Sequence, residues 1–200
     1  MENNSYSCIQ LMTLSFKPLI ADNFNDLIIL FGEKGACGGC WCMWWRLKNK
    51  DYEQSKGIRN KELLENLISN SKPLGIIAYE KNNPIGWCSI SPRKSLKRLE
   101  TSKLFKPIDN LDVWSITCLY VDKKIRNTGL SVRLINQASE FAFKKGATCI
   151  EAYPIHSNKN KTPDLFAYVG FKTAYLNAGF EPIKQCSKTR LIMRKYYISH

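Results

Sequence analysis

One stretch constrains the fold of this chain more than any other: VWSITCLYV at 113–121, then DKKIRNTG, then LSVRLINQASEFAFKK at 130–145. The first segment is dense in β-branched and aromatic side chains, which suit a pleated, half-buried surface, so it predicts a strand. The last places Leu130, Leu134, Ile135, Ala138, Phe141 and Ala142 on one stripe, the pattern of an amphipathic helix. Gly146 suits that helix's C-terminal cap. ATCIEAY at 147–153 predicts the next strand, stopped by Pro154. Strand, helix and strand in that order call for a sheet with a helix packed on its face.

The rest of the chain fits around this unit. Residues 9–16 suit a first strand and 19–31 a helix. Residues 59–70 place Leu63, Leu64, Leu67 and Ile68 on one helical face, ended by Lys72-Pro73. GIIAYE (75–80) and IGWCSI (85–90) around KNNP predict a hairpin, and 91–111 read as a basic, irregular surface excursion. Residues 164–178 allow a short helix broken at Gly170, and FEPIKQC with TRLIMRKYYI makes a closing strand pair. The expected class is α/β, an α+β mixed sheet.

With 200 residues, 44% of them apolar and 24% charged, the chain suits a single globular domain, 1–200. The run Leu27-Ile28-Ile29-Leu30-Phe31 is far too short to span a bilayer, so no membrane partner is expected. The beginning MENNSYSCIQLMTLSF has no basic-then-apolar layout, so a cytoplasmic location is expected, with the eight cysteines mostly reduced. The net charge of +13 is uneven: residues 1–50 hold five basic and four acidic groups, 51–110 eleven and seven, and 111–200 fourteen and six. A basic C-terminal half suits an anionic partner such as a phosphorylated cofactor; a solvated, lysine-rich surface explains it as well.

The turn at 122–129 carries the first candidate chemistry. A helix start exposes unpaired N–H groups and a partial positive charge. Gly129 lets the backbone approach a ligand, and Lys123, Lys124 and Arg126 add charge, so the loop suits a pyrophosphate. It lacks both G-x-x-x-x-G-K-[ST] and G-x-G-x-x-G. R-x-x-G-x-S by itself also describes an ordinary strand-to-helix turn.

Here the sequence resembles a family. R-x-x-G-x-S after a strand ending in YV, followed by an amphipathic helix, is similar to the acyl-CoA pyrophosphate loop of the GNAT N-acetyltransferase superfamily. AYLNAGF (174–180) resembles its A-x-Y-x-x-x-G-F segment. CWCMWWR, GWCSI and EAYP are similar to segments of one bacterial branch. The resemblance covers most of 9–198. It implies a mostly antiparallel sheet with flanking helices, a splay between two central strands, an acceptor side at about 1–111 and an acyl-CoA core at about 112–200. It implies acetyl-CoA as co-substrate, no metal, and a small-molecule or peptide amine as acceptor, with a monomer or homodimer both open.

Carried over residue by residue, the resemblance assigns the pantetheine arm to backbone groups of Leu119, Tyr120 and Val121, one of which would polarise the thioester carbonyl. Arg126, Asn127, Thr128, Gly129, Leu130 and Ser131 would hold the pyrophosphate. Tyr175 would protonate the leaving thiolate, as a phenol with a pKa near a thiol's is suited to do. One departure stands out: the family's Asn two turns before that Tyr is replaced by Tyr168. The best-placed carboxylate for a general base is Glu151, and its plain alternative is a salt-bridged strand residue.

ACGGCWCMWWR (36–46) admits three readings. Cys37, Cys40 and Cys42 give three thiolates where a structural zinc site takes four, and the only histidines are His156 and His200. Cys37 and Cys40 have the spacing of a redox dithiol without the strand and helix that flank such a motif. The preferred reading is a packed segment beside the acceptor site. Trp41, Trp44 and Trp45 would form an apolar wall, and Arg46 would pair with a substrate carboxylate. Core packing without substrate contact is the plain alternative. The leading functional expectation is therefore direct acetyl transfer to an amine. The others are a nucleic-acid-binding module, for which no motif is present, and an acyl-CoA sensor without turnover.

Overall fold

The computed structural model of the chain describes residues 13–70, 72, 74–156 and 168–198. Seven strands form one sheet: β1 Leu14–Pro18, β2 Gly75–Glu80, β3 Asn83–Pro92, β4 Trp114–Val121, β5 Cys149–Ala152, β6 Glu181–Ser187 and β7 Arg190–Tyr196. Their spatial order is β1-β2-β3-β4-β5-β7-β6, and only β4 and β5 run parallel. The helices are α1 Phe24–Phe31, α2 Asn49–Ser55, α3 Ile58–Ser69, α4 Lys97–Glu100, α5 Leu130–Lys144 and α6 Lys172–Asn177. This is the mixed α/β class that the sequence predicts.

A parallel strand pair needs a crossover, and α5 supplies it between β4 and β5. Its stripe of Leu130, Leu134, Ile135, Ala138 and Ala142 is buried with Ile76, Ala78, Cys88, Ile90 and Ile116 of the sheet. Phe141, the remaining member of the stripe, is half-buried and meets Trp114 edge-on at 6.3 Å. The opposite face of the sheet presents Ile77, Tyr79 and Trp87 to Phe24, Leu27 and Phe31 of α1 and to Leu64 and Ile68 of α3. Alternation along β2 thus feeds two cores, which is why GIIAYE is apolar almost throughout.

Three expected elements differ in detail. The helix expected over 19–31 begins only at Phe24, because the Asn23 side chain accepts from the Ile20 amide and donates to Pro18 O, folding 18–23 into a separate turn. The short helix expected within 164–178 is α6; positions 164–167, like 9–12 of the expected first strand, lie outside the described residues. The excursion at 91–111 is anchored rather than superficial. Arg93, Leu96, Leu99 and Phe105 are buried, and the three apolar ones share a third cluster with Trp45, Tyr153 and Ile192.

One irregularity shapes the site. β4 and β5 pair only at Trp114–Ile150, Ser115–Glu151 and Ile116–Ala152. On the other side β4 stays with β3 to its end, with a register shift that skips Thr117 between Ile90–Ile116 and Ser89–Cys118. A bulge of this kind bends the strand. From Thr117 onward β4 follows β3 without a β5 partner among the described residues, and the sheet splays open.

Candidate active site

The splay gives β4 a free backbone edge. The Asp122 amide donates to Ile85 O at 3.0 Å. Amides alternate in direction along a strand, so those of Leu119 and Val121 face away from β3, into the opening. Tyr120 is the register partner of Trp87, and the same alternation turns its amide toward β3. Of the three backbone positions expected at the pantetheine arm, two therefore face the opening and Tyr120 does not.

The turn after β4 is built by local bonds. Asp122 Oδ1 accepts from the Lys124 amide at 2.9 Å, and Thr128 Oγ1 donates to Ile125 O at 2.7 Å. Asn127 and Gly129 take left-handed φ values of 63° and 81°. The Gly129 carbonyl starts α5 by accepting from Val132 and Arg133. A Cβ placed on Gly129 would meet nothing within 4 Å, so open space lies before the loop. The amides of Leu130 and Ser131 open α5, where the first N–H groups have no partner within the helix. Together these features fit an extended phosphate-bearing ligand.

Tyr175, on α6, is fully buried; its hydroxyl donates to Val169 O at 3.0 Å and its ring meets Phe180 edge-on at 5.3 Å. Burial pushes its phenol well above the ordinary range, so it stays protonated through neutral pH. Gly170 joins this tyrosine to the splay. Its φ is 77°, and a Cβ there would stand 2.8 Å from Leu119 Cδ1 and 3.0 Å from Tyr175 Cε2. Only a glycine lets the chain pass between them.

Glu151 occupies a different setting, beneath the paired part of β4 and β5. Its Oε1 accepts from Arg194 Nε at 3.0 Å and Nη2 at 2.8 Å. Its Oε2 accepts from Tyr153 Oη at 2.7 Å and Arg93 Nη1 at 3.3 Å. The side chain is 1% exposed. Both oxygens are engaged by cations or a hydroxyl, the arrangement of a structural ion cluster.

The Cys/Trp segment divides three ways. Trp44 and Trp45 line a cavity of about 570 Å³ together with Phe105 and Tyr168. Trp41 turns to the other side, against Phe31 at 5.8 Å, and borders a separate depression beside α1. Arg46 does not reach the cavity: it is 6% exposed, and Nη2 donates to Leu74 O, Ser89 Oγ and Ser91 Oγ. The wall expected from three tryptophans and an arginine is thus two tryptophans, with Arg46 drawn inward.

Arg46 is held there beside a thiol pair. Trp87 Nε1 donates to Cys42 Sγ at 3.3 Å. The neighbouring Cys118 thiol, with attraction to Arg46, lowers Cys42 below the ordinary thiol range, while Cys118 itself is raised well above its ordinary value. Cys37, Cys40 and Cys42 differ in exposure, and among the described residues no group of three or more His, Cys, Asp or Glu is placed to hold a metal ion.

The cavity adjoins the splay through Tyr168 in its wall, which is followed by Val169 and by Gly170, packed against Leu119 of β4. Sequence reasoning did not single out Arg98, Lys48, Arg190 or Phe105 for it. The available signal was the apolar pair Leu96 and Leu99 within a basic run, which fastens 96–105 to the body of the protein.

Residues 41–171 match the model of the acetyltransferase (GNAT) family. The comparison with curated proteins finds no match. Among solved structures, the PaiA N-acetyltransferase from Thermoplasma acidophilum in complex with coenzyme A aligns with a TM-score of 0.55 at 19% identity, covering 93% of this chain and 100% of that one. An acetyltransferase of the GNAT family from Listeria monocytogenes aligns at 0.54 and 13%, covering 92% and 95%. The ribosomal-protein-S5-alanine acetyltransferase from Vibrio fischeri aligns at 0.52 and 13%, covering 92% of each. At these identities the likeness is one of fold, the seven-stranded splayed sheet. The family match spans more than half of the sequence: the chain belongs to the acetyltransferase (GNAT) family and is an acyltransferase with acetyl-CoA as donor.

Proposed function

We propose that the protein carries an acetyl group from acetyl-CoA directly to an amine held in the cavity of Trp44, Trp45 and Tyr168. The observation that carries this reading is the convergence at one end of the sheet. The free edge of β4 at Leu119 and Val121, the buried Tyr175 hydroxyl and the open loop before α5 all meet there.

Acetyl-CoA supplies an activated acyl group as a thioester. The amides of Asn127 to Ser131 hold the pyrophosphate, with exposed Lys123 and Lys124 adding charge. An amide of Leu119 or Val121 stabilises negative charge developing on the acyl oxygen. Tyr175 keeps a proton at Oη for the departing sulfur and must turn that hydroxyl from Val169 O to deliver it. Holding amine and acyl group together supplies much of the acceleration. Glu151, with both oxygens engaged, fixes the sheet in this reading. In this reading a neutral amine attacks the acyl carbon, the carbon–sulfur bond breaks, and the proton the nitrogen then sheds restores the Tyr175 hydroxyl after it has protonated the thiolate.

In this proposal residues 1–200 work as one cytoplasmic domain, monomeric or homodimeric, with the acceptor side at about 1–111 and the acyl-CoA core at about 112–200. CWCMWWR marks a bacterial branch of the family. Among the described residues no helix is long and apolar enough to cross a membrane. The test is release of free coenzyme A thiol from acetyl-CoA on addition of primary amines, with mass spectrometry of the acetylated product. Absence of any acetyl transfer by folded protein that binds acetyl-CoA would leave a sensor rather than an enzyme.

A further inference from the structure

The acceptor cavity carries an electrostatic signature. Lys48, Arg98 and Arg190 line it, and no acid among the described residues does. Arg98 lies flat on Trp44, its Cζ 3.6 Å from the ring centroid, and its Nε donates to Trp44 O at 2.7 Å. This leaves Nη2 buried without a hydrogen-bond partner. Glu53 acts on Arg98 electrostatically, but its carboxylate is bonded to Lys56 Nζ at 2.6 Å. Arg190 Nη1 donates to the Tyr153 carbonyl at 3.4 Å. Trp45 is 9% exposed, and its indole N–H is also buried without a partner. Buried donors left unmade are costly, and a small movement of the Arg98 or Trp45 side chain would bring either donor to a ligand in the cavity. The other lining side chains are flat and apolar: Trp44, Trp45, Phe105 and Tyr168.

We propose that the acceptor is an amine that also bears a carboxylate and a flat apolar body, the chemistry of an aromatic α-amino acid. Its carboxylate is received by Arg98 with Arg190 and Lys48, and its ring lies among the aromatic side chains. An anionic acceptor complements the three cations in the wall, and a guanidinium pre-oriented by stacking is well suited to a planar carboxylate. The cavity volume is in the range of small-molecule sites. This inference rests on the acetyltransferase reading above.

The test is acetyl transfer to phenylalanine and tryptophan, compared with phenylalaninamide, phenethylamine and tryptamine, which lack the carboxylate. Phenylphosphonate is added as a competing anion without an amine. The amino acids should exceed their uncharged counterparts about tenfold or more in kcat/KM, chiefly through KM. Arg98→Gln should remove that preference and Arg98→Lys restore part of it, while the exposed Lys48→Met reduces it without endangering the fold. Competition by phenylphosphonate stronger than by phenylacetate, tested alongside it, would assign the site to phosphonates and overturn the carboxylate assignment. Equal use of charged and uncharged amines would overturn the inference, as would turnover of uncharged amines alone. Failure of the whole panel, with no thermal shift from N-acetylphenylalanine, would overturn it too. A thermal shift by acetyl-CoA alone, measured in parallel, keeps these failures distinct from failure of the acetyltransferase reading.

Discussion

Glu151→Gln removes one negative charge from between two arginines while keeping the shape of the side chain. In the native cluster Arg194 reaches Oε1 at 2.8 Å, Arg93 reaches Oε2 at 3.3 Å, and both guanidinium groups are less than a tenth exposed. Removing one partner of a buried ion pair costs about 3–5 kcal/mol, because the charge left behind is neither solvated nor compensated. Glutamine retains one amide oxygen as an acceptor, and Asp109 still grips Arg194 from the other side through both oxygens. The expected loss is therefore at the low end, about 3 kcal/mol. In a chain of this size each kcal/mol moves Tm by about 2–4 °C, so the midpoint should fall by about 6–12 °C. The assay is thermal unfolding followed by circular dichroism, paired with acetyl transfer measured well below both midpoints. Turnover per folded molecule should stay within about threefold of wild type, since surface-independent structural changes leave the transition state untouched. An unchanged midpoint with turnover lost about a hundredfold or more would identify Glu151 as the general base and refute the ion-cluster reasoning.

Three further outcomes are expected. Tyr175→Phe should lower turnover by about a hundredfold, the scale of a lost general acid, with acetyl-CoA affinity nearly unchanged; wild-type turnover in that variant would remove Tyr175 from the reaction. Gly170→Ala forces a Cβ against Leu119 and Tyr175 at a φ of 77°. Strain and overpacking together should cost about 2–4 kcal/mol, and a variant as stable and active as wild type would contradict the close approach described here. Asp109 is held below its usual range by hydrogen bonding to Arg194. Its folded value lies below its unfolded value, so it stabilises the fold above the ordinary carboxylate range, and that contribution disappears as pH falls through the folded value. Tm should therefore drop between about pH 5 and pH 2, and Asp109→Asn should flatten that part of the curve.

Much of the central sheet and its crossover helix was legible because their signals are local. The stripe on α5, the β-rich run of β4 and the hairpin of β2 and β3 each encode their own structure within a dozen or so residues. The splay was implied by the family resemblance alone; nothing in VWSITCLYV announces that pairing with β5 stops at Ile116. The acceptor side was legible only in part, for its side chains are sorted by distant partners. Trp41, Trp44 and Trp45 are near neighbours in sequence, yet a string of left-handed residues, including Ala36, Trp41 and Cys42, turns them to different sides. Arg46 is drawn inward by Ser89 and Ser91, more than forty positions away. Glu151 finds Arg194 across 43 positions, in a strand whose register no local pattern predicts. Arg98 lay in a run that read as solvated surface, because its stacking on Trp44 joins segments 54 positions apart.

The most direct measurement is thermal unfolding with and without acetyl-CoA, on the wild-type chain and on Gly129→Val, which puts a branched side chain into the left-handed loop before α5. At about a hundredfold excess over Kd, a ligand bound only by the folded state contributes about 2.7 kcal/mol. For a chain of this size that raises Tm by about 5–11 °C. The account predicts this rise for wild type and little or none for Gly129→Val at the same concentration. No rise in wild type, or an equal rise in both, would contradict the placement of the acyl donor at the splay and its loop.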